Sequence, residues 1–319
     1  MLHGTVTSVK PQASRPSIIR ELVEMSNPGN RIGDYFTVMK PAIAFLNVFV
    51  GIAVILLAVG LSAPIWAIIF TSAAGFLSAA GAGAINCYID RGLDKQMTRT
   101  RWRPIPAGRI PADRILSFGL ILSFAGVALA AVYLNILTAF FIGLGVFWYI
   151  LIYTMWLKPR TKWNIVIGGA AGCFSALAGW SAVTGGVGLV GVLVASLVFL
   201  WTPGHFWGLA IAKSKDYENG EVPMLPVVDG QSKASLYTAI SNMLLFPFTI
   251  MLYLLTVSWS NPYGALLVGV GIVLLNFRFL QFNLQLIRTA DASSAWRVFK
   301  FSVSYLFLIL LLTVIGHIL

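Results

Sequence analysis

The chain is expected to be an all-α polytopic membrane protein with nine transmembrane helices. Three observations predict this. Of 319 residues, 58% are hydrophobic and only 10% charged, which excludes an ordinary soluble domain. Nine apolar stretches recur near 41–59, 65–88, 115–134, 137–157, 163–183, 187–207, 236–257, 263–281 and 301–318. Several are long enough to cross about 30 Å of hydrocarbon, and long apolar runs indicate helices, whereas a membrane barrel shows short alternating segments. Third, charge is confined to alternate connectors. All 22 Lys and Arg and all 11 Asp and Glu fall in 1–40, 89–114, 158–162, 208–235 and 282–300, with Arg278 in the last turn of the eighth stretch. The connectors near 60–64, 135–136, 184–186 and 258–262 carry none. This positive-inside pattern predicts a cell-membrane protein with a cytoplasmic N-terminus and an outer C-terminus. Functional chemistry is therefore expected on the cytoplasmic face.

Residues 1–40 lack the apolar core of a signal peptide, and Glu21, Glu24 and Asp34 argue against a transit peptide. About 18–38 is expected to form one or two amphipathic helices on the membrane surface, ending at Lys40-Pro41. Residues 41–319 are expected to form a single transmembrane domain. Its intramembrane glycines, among them Gly75, Gly81, Gly83, Gly168, Gly169, Gly172 and Gly179, suit close helix crossings. Cys87 and Cys173 lie within helices without a CxxC partner, so neither a disulfide framework nor a zinc site is supported. The net charge of +11 follows from the positive-inside pattern, and no nucleic-acid partner is needed to explain it.

The second stretch runs into NCYIDRGLDKQMTRTRWRP, residues 86–104. Asn86, Asp90 and Asp94 follow at four-residue intervals and share a face if the helix continues. Two carboxylates and an amide oxygen are hard ligands of the kind Mg²⁺ uses while sharing a substrate's phosphates. Arg99, Arg101 and Arg103 can grip diphosphate oxygens and offset their charge. Ordinary interfacial charge explains Arg91 and Lys95 equally well. It explains Asn86 and Asp90 less well, because buried polar groups are costly unless matched.

LKPRTKWN at 157–164 places Lys158, Arg160 and Lys162 at the same depth, as topology alone would. The sixth stretch ends in WTPGHFW at 201–207; its His205 suits either haem iron or a porphyrin edge, or a plain aromatic-belt position. The loop KSKDYENGEVPMLPVVDG at 213–230 offers Asp216, Glu218 and Glu221 as a second metal set, with Lys213 and Lys215 for phosphate. A merely charged loop is the alternative. Pro223, Pro226 and Gly230 favour a shaped turn there.

Together these segments resemble the UbiA superfamily of intramembrane prenyltransferases, and within it the haem O synthase branch, over roughly residues 35–318. The first signature is matched at Asn86, Asp90, Asp94, Met97, Arg99, Thr100, Arg103 and Pro104. Later elements are matched at Tyr153-Thr154, Leu157-Lys158, Thr161, Asn164, Gly168-Gly169 and Gly179-Trp180. The branch is matched at Trp201-Thr202-Pro203, His205-Phe206-Trp207, Asp216-Tyr217 and Val222 to Val227. Departures are Gly204 where a second proline is frequent, Ala176-Leu177-Ala178 in place of a double proline, Lys215 beside Asp216, and Gly220-Glu221 in place of Ala-Gly.

The resemblance implies helices around a central cavity with helical loops on the cytoplasmic face. It implies farnesyl transfer from farnesyl diphosphate to the 2-vinyl group of haem b, with water addition, giving haem O and diphosphate. Haem b is then a substrate, not a resident cofactor. Asn86, Asp90, Asp94 and Asp216 would hold two Mg²⁺ ions, and Arg99, Arg103, Lys158 and Arg160 would offset diphosphate charge. Arg160, Thr161, Asn164, Lys213, His205 and Tyr217 would line the substrate sites, and Tyr149, Tyr153 or Trp180 would shield an allylic cation. A haem A synthase or terminal oxidase assembly factor is a candidate partner beside the lipid bilayer. The rival readings are a related prenyltransferase acting on an aromatic quinone precursor or glycerol phosphate, a transporter, or a haem-binding assembly protein.

Overall fold

The computed structural model describes residues 31–319. Among them, nine helices are long and apolar enough to span a membrane. They are α1 (Pro41–Ser62), α2 (Ile65–Ile89), α3 (Ala112–Tyr133), α4 (Ile136–Leu157), α5 (Asn164–Thr184), α6 (Leu189–Ala212), α7 (Gly230–Thr256), α8 (Pro262–Thr289) and α9 (Ala292–Ile318). A short helix covers Arg31–Val38 within the segment expected to lie on the membrane surface, and positions 18–30 of that expectation lie outside the described residues.

Each predicted stretch is a helix, but several run further at the charged end. The connector expected over 282–300 shrinks to the turn at Ala290-Asp291. Backbone hydrogen bonds favour continued helix above the hydrocarbon, where Arg288, Arg297 and Lys300 reach water. Ala290 closes α8 in a left-handed conformation (φ 46°), and the Asp291 carboxylate accepts from the Ser294 N–H at 2.7 Å to start α9. Likewise α7 begins at Gly230, six residues before the expected boundary at 236.

Sequential helices pack on one another, α5 packs on α1, α6 packs on α9, and α9 returns to α1 to close the ring. Small residues set two of these contacts. A Cβ on Gly81 in α2 would lie 2.6 Å from the Gly119 carbonyl of α3, and one on Gly179 in α5 would lie 2.9 Å from Gly51 Cα of α1. Neither site admits alanine without separating the helices, as the expectation for intramembrane glycines requires.

The last ten residues of α4, Trp148–Leu157, wind as a π-helix. Thus Lys158 N bonds the carbonyl of Tyr153 at 2.9 Å, five residues back. This wider winding sets the directions of Tyr149, Tyr153, Thr154 and Lys158, and π-turns recur at functional sites.

Candidate active site

The charged end of the ring holds a buried polar cluster. The ladder from α2 passes almost unbroken through Asp90, whose N–H bonds Asn86 O at 2.9 Å and whose carbonyl accepts from Asp94 N at 2.7 Å. A short helix, Arg91–Gln96, follows. Asn86, Asp90 and Asp94 are all buried. Asn86 Nδ2 donates to Asp90 Oδ2 at 2.9 Å and to Thr154 Oγ1 at 3.0 Å. Lys158 Nζ pairs with the same Asp90 oxygen at 2.6 Å. Arg103 Nη1 bonds both oxygens of Asp94, at 3.0 and 2.8 Å. Asp216 is tied in from the other loop, accepting from the N–H of Thr98 at 3.1 Å and from its hydroxyl. The structure therefore assembles Asn86, Asp90, Asp94, Arg103, Lys158 and Asp216 at one end of the bundle.

Lys40 joins them, although sequence reading treated it only as the end of a surface helix. Its backbone is left-handed (φ 51°, ψ 58°), which costs a non-glycine residue on the order of 1 kcal/mol. That turn, immediately before Pro41, sends its ammonium to Asn86 Oδ1 and to Tyr149 Oη at 3.3 Å. Burial and Arg103 oppose the charge of Lys40, yet Tyr149, Cys87 and Asp90 together outweigh them and raise its pKa above the usual lysine range. For Lys158 burial prevails over the attraction of Asp90, and its pKa is lowered.

Arg99 Nε is buried without a protein partner. A buried, unpaired guanidinium N–H among acidic and basic groups fits an anion such as a diphosphate. The adjacent hard oxygens of Asn86 and Asp90 fit Mg²⁺ shared with that anion. Among the described residues, no three His, Cys, Asp or Glu side chains converge into a metal cage on their own. Tyr217 is packed against Met97, Ala210, Val222 and Met224. Its phenol is pushed above the usual range by burial, against the pull of Arg99 and Arg103.

Other candidates fall outside this cluster. Arg160 is exposed and donates to the carbonyls of Met155 and Trp156, capping α4. Lys213 is exposed, with its ammonium 5.5 Å from the Trp296 ring. Thr161 and Asn164 shape the α4–α5 turn: Asn164 Nδ2 donates to Thr161 O at 2.6 Å, while Asn164 Oδ1 is buried without a partner. Lys215, Glu218 and Glu221 are exposed, so the second acidic set reduces to Asp216. Glu221 is also left-handed (φ 54°), at the position where the resembled pattern carries glycine. Trp180 packs on Gly188 and Gly191 at the uncharged end and does not line the cavity, which removes it as a cation shield.

A predominantly apolar cavity runs inward from Lys40, Tyr149 and Tyr153 between α1, α2, α4, α5 and α6. The two tyrosine rings stack with centroids 5.7 Å apart. His205 and Trp201 form part of its wall, so His205 is a cavity residue and not a belt residue.

Residues 45–311 match the model of the UbiA prenyltransferase family. The chain belongs to this family. It is 42% identical over 304 residues to the protoheme IX farnesyltransferase of Acidiphilium cryptum (strain JF-5), covering 93% of this chain and 94% of that protein. It is 41% identical over 277 residues to protoheme IX farnesyltransferase 1 of Cenarchaeum symbiosum (strain A), covering 85% and 91%. Among solved structures, it resembles digeranylgeranylglyceryl phosphate synthase with a TM-score of 0.69 at 18% identity, over 90% of this chain and 98% of that one. A UbiA homolog from Archaeoglobus fulgidus, solved with DMAPP and Mg²⁺, gives a TM-score of 0.64 at 14% identity, over 87% and 99%. At those identities the shared property is the fold. As a UbiA-family member, the protein is a membrane-embedded prenyltransferase.

Proposed function

We propose that this UbiA-family enzyme transfers the farnesyl group of farnesyl diphosphate to the 2-vinyl group of haem b and adds water, giving haem O and diphosphate. The observation that carries this reading is one continuous site. A half-buried cationic cluster with an unpaired Arg99 Nε meets an apolar cavity at Lys40 and Tyr149, and that cavity reaches an aromatic wall at His205. The names of the relatives at 42% and 41% identity supply the acceptor class.

In this reading the diphosphate lies among Lys40, Arg99, Arg103 and Lys158, and the farnesyl chain lies in the cavity. Asn86, Asp90 and Asp94 would hold Mg²⁺ at the diphosphate, with Asp216 for a second ion, and the bound ions would supply charge neutralisation on the phosphate oxygens. The allylic C–O bond breaks with its electron pair leaving on diphosphate, whose charge the lysines and arginines stabilise. The Tyr149 and Tyr153 rings face the resulting cation. The vinyl group's terminal carbon forms the new C–C bond, and the cation left beside the ring takes the oxygen of water, which releases a proton. Water is otherwise kept from the allylic cation by the dry wall. The charged end faces the cytoplasm, as the distribution of Lys and Arg implies.

The test is acceptor-dependent release of diphosphate by nanodisc-embedded protein given farnesyl diphosphate and Mg²⁺. Haem b should stimulate release, and 4-hydroxybenzoate or a glycerol-phosphate acceptor should not. Stimulation by either of the latter, with haem b inert, would transfer the protein to another UbiA branch.

A further inference from the structure

His205 is packed among the rings of Trp201, Phe206 and Phe299 and is held at one ring nitrogen. Trp201 stacks on its ring with centroids 4.3 Å apart and 15° between planes; Phe299 stacks at 4.6 Å and 27°. Two rings at these distances cover the two faces of the imidazole. Nδ1 lies 2.7 Å from the hydroxyl of Ser302, a fully buried residue of α9. That hydroxyl has one proton, and it is directed to the Phe299 carbonyl at 2.7 Å. With that proton on the Phe299 carbonyl, the oxygen accepts from Nδ1–H and the imidazole lone pair is on Nε2. Ser302 also fixes the neighbouring ring, since its carbonyl accepts from Trp201 Nε1 at 2.8 Å. Among the described residues the ring is hydrogen-bonded at Nδ1 to Ser302, the Phe299 carbonyl also lies within reach of the ring, and His205 lines the cavity. A metal-ligating histidine has this organisation: one ring nitrogen donates to an outer acceptor, which sets the tautomer and presents the other nitrogen.

We propose that His205 Nε2 is the axial ligand of the acceptor's iron, and that Ser302 is the positioning residue that presents it. This rests on the haem acceptor reading and deepens it. Iron ligation would anchor the macrocycle at its centre, leaving its vinyl edge to be presented to the prenyl chain. It also makes acceptor binding depend on the metal: haem b is captured, whereas metal-free protoporphyrin IX, with the same edge and side chains, is held weakly.

The experiment is titration of the full-length protein in nanodiscs with ferric haem b, followed by Soret absorption and electron paramagnetic resonance. Wild type should show an imidazole-ligated spectrum. His205→Ala should lose it, and added imidazole should restore it, which separates loss of a ligand from loss of the fold. Ser302→Ala should weaken haem binding about tenfold, and Ser302→Thr, which keeps the hydroxyl, should recover it. An unchanged spectrum in His205→Ala would overturn the ligand assignment, and unchanged affinity in Ser302→Ala would overturn the positioning role. Either result, in protein that still makes haem O, leaves the acceptor reading standing. Protein that neither binds nor converts haem b while prenylating another acceptor would end both.

Discussion

At the charged end of the cavity, acidic oxygens are matched by partners brought from distant segments: Lys158 on Asp90, Arg103 on Asp94, Thr98 on Asp216. On the α6–α9 wall, His205 is set by two stacked rings and one serine hydroxyl, with no charged partner among these contacts. In the proposed reading the first region exchanges partners, because an arriving diphosphate and Mg²⁺ would compete for the same lysines and carboxylates. The second is fixed before any ligand arrives. Substitutions at the charged end should therefore cut turnover, and substitutions on the wall should cut acceptor affinity.

The largest effects should come from Asp90→Asn and Asp94→Asn, each lowering turnover by on the order of 100-fold or more while haem binding and helical circular dichroism are retained. Near-normal turnover of both at subsaturating Mg²⁺ would break the comparison at its first member. Lys40→Met should lower turnover by roughly 10- to 100-fold, since it removes a half-buried cation at the mouth of the apolar cavity. Arg160→Ala, at an exposed cap, should leave turnover unchanged. Equal losses in steady-state assays of the two would erase the distinction between clustered and peripheral cations.

A smaller change is expected from Trp201→Leu, which uncovers one face of His205. It should weaken haem binding by roughly 0.5–1.5 kcal/mol with diphosphate affinity intact. A loss of diphosphate affinity in the same titrations would show that the two regions are not separate. Glu221→Gly should stabilise the protein by about 1 kcal/mol, by placing glycine at a left-handed position, with turnover unaltered. Reduced turnover in that variant would bring the Glu221 carboxylate back into the site.

The smallest effect concerns the turn that starts α9. The Asp291 carboxyl is held down at about 2 by the N–H of Ser294 and the hydroxyl of Ser293. Its folded value lies below the unfolded value near ~4, so its stabilising contribution is present above that pH and is lost as pH falls toward 2. Thermal unfolding of Asp291→Ala should show a flatter acid dependence over that window. An identical profile would remove this cap from the account of the wall.

The nine helices were legible because hydropathy and charge segregation act along the chain. Their ends were not, since helices such as α8 and α9 continue into water once Arg288, Arg297 and Lys300 can be solvated. The spacing of Asn86, Asp90 and Asp94 was legible because four residues is a local helical period. Lys40 was missed because its partner Asn86 is 46 residues away and its direction depends on one left-handed residue. The tie between Thr98 and Asp216 spans 118 residues, and that between His205 and Ser302 spans 97; neither carries a local pattern. The π-wound end of α4 left no sign in an unbroken apolar run, although a buried Thr154 beside Lys158 is its nearest trace. Arg160 and Lys213 lie outside the buried cluster for the opposite reason, because position at the charged end does not fix which way a long side chain turns.

The central claim is that one site holds the prenyl diphosphate at its charged end and the porphyrin at its wall. It is tested most directly by the mass of the product formed by nanodisc-embedded protein from haem b, farnesyl diphosphate and Mg²⁺. The product should be haem b carrying one additional farnesyl group and one hydroxyl, with the Asp90→Asn protein giving almost none. Haem b recovered unaltered from folded, Mg²⁺-supplied wild-type protein, while another acceptor gains the farnesyl group, would contradict it.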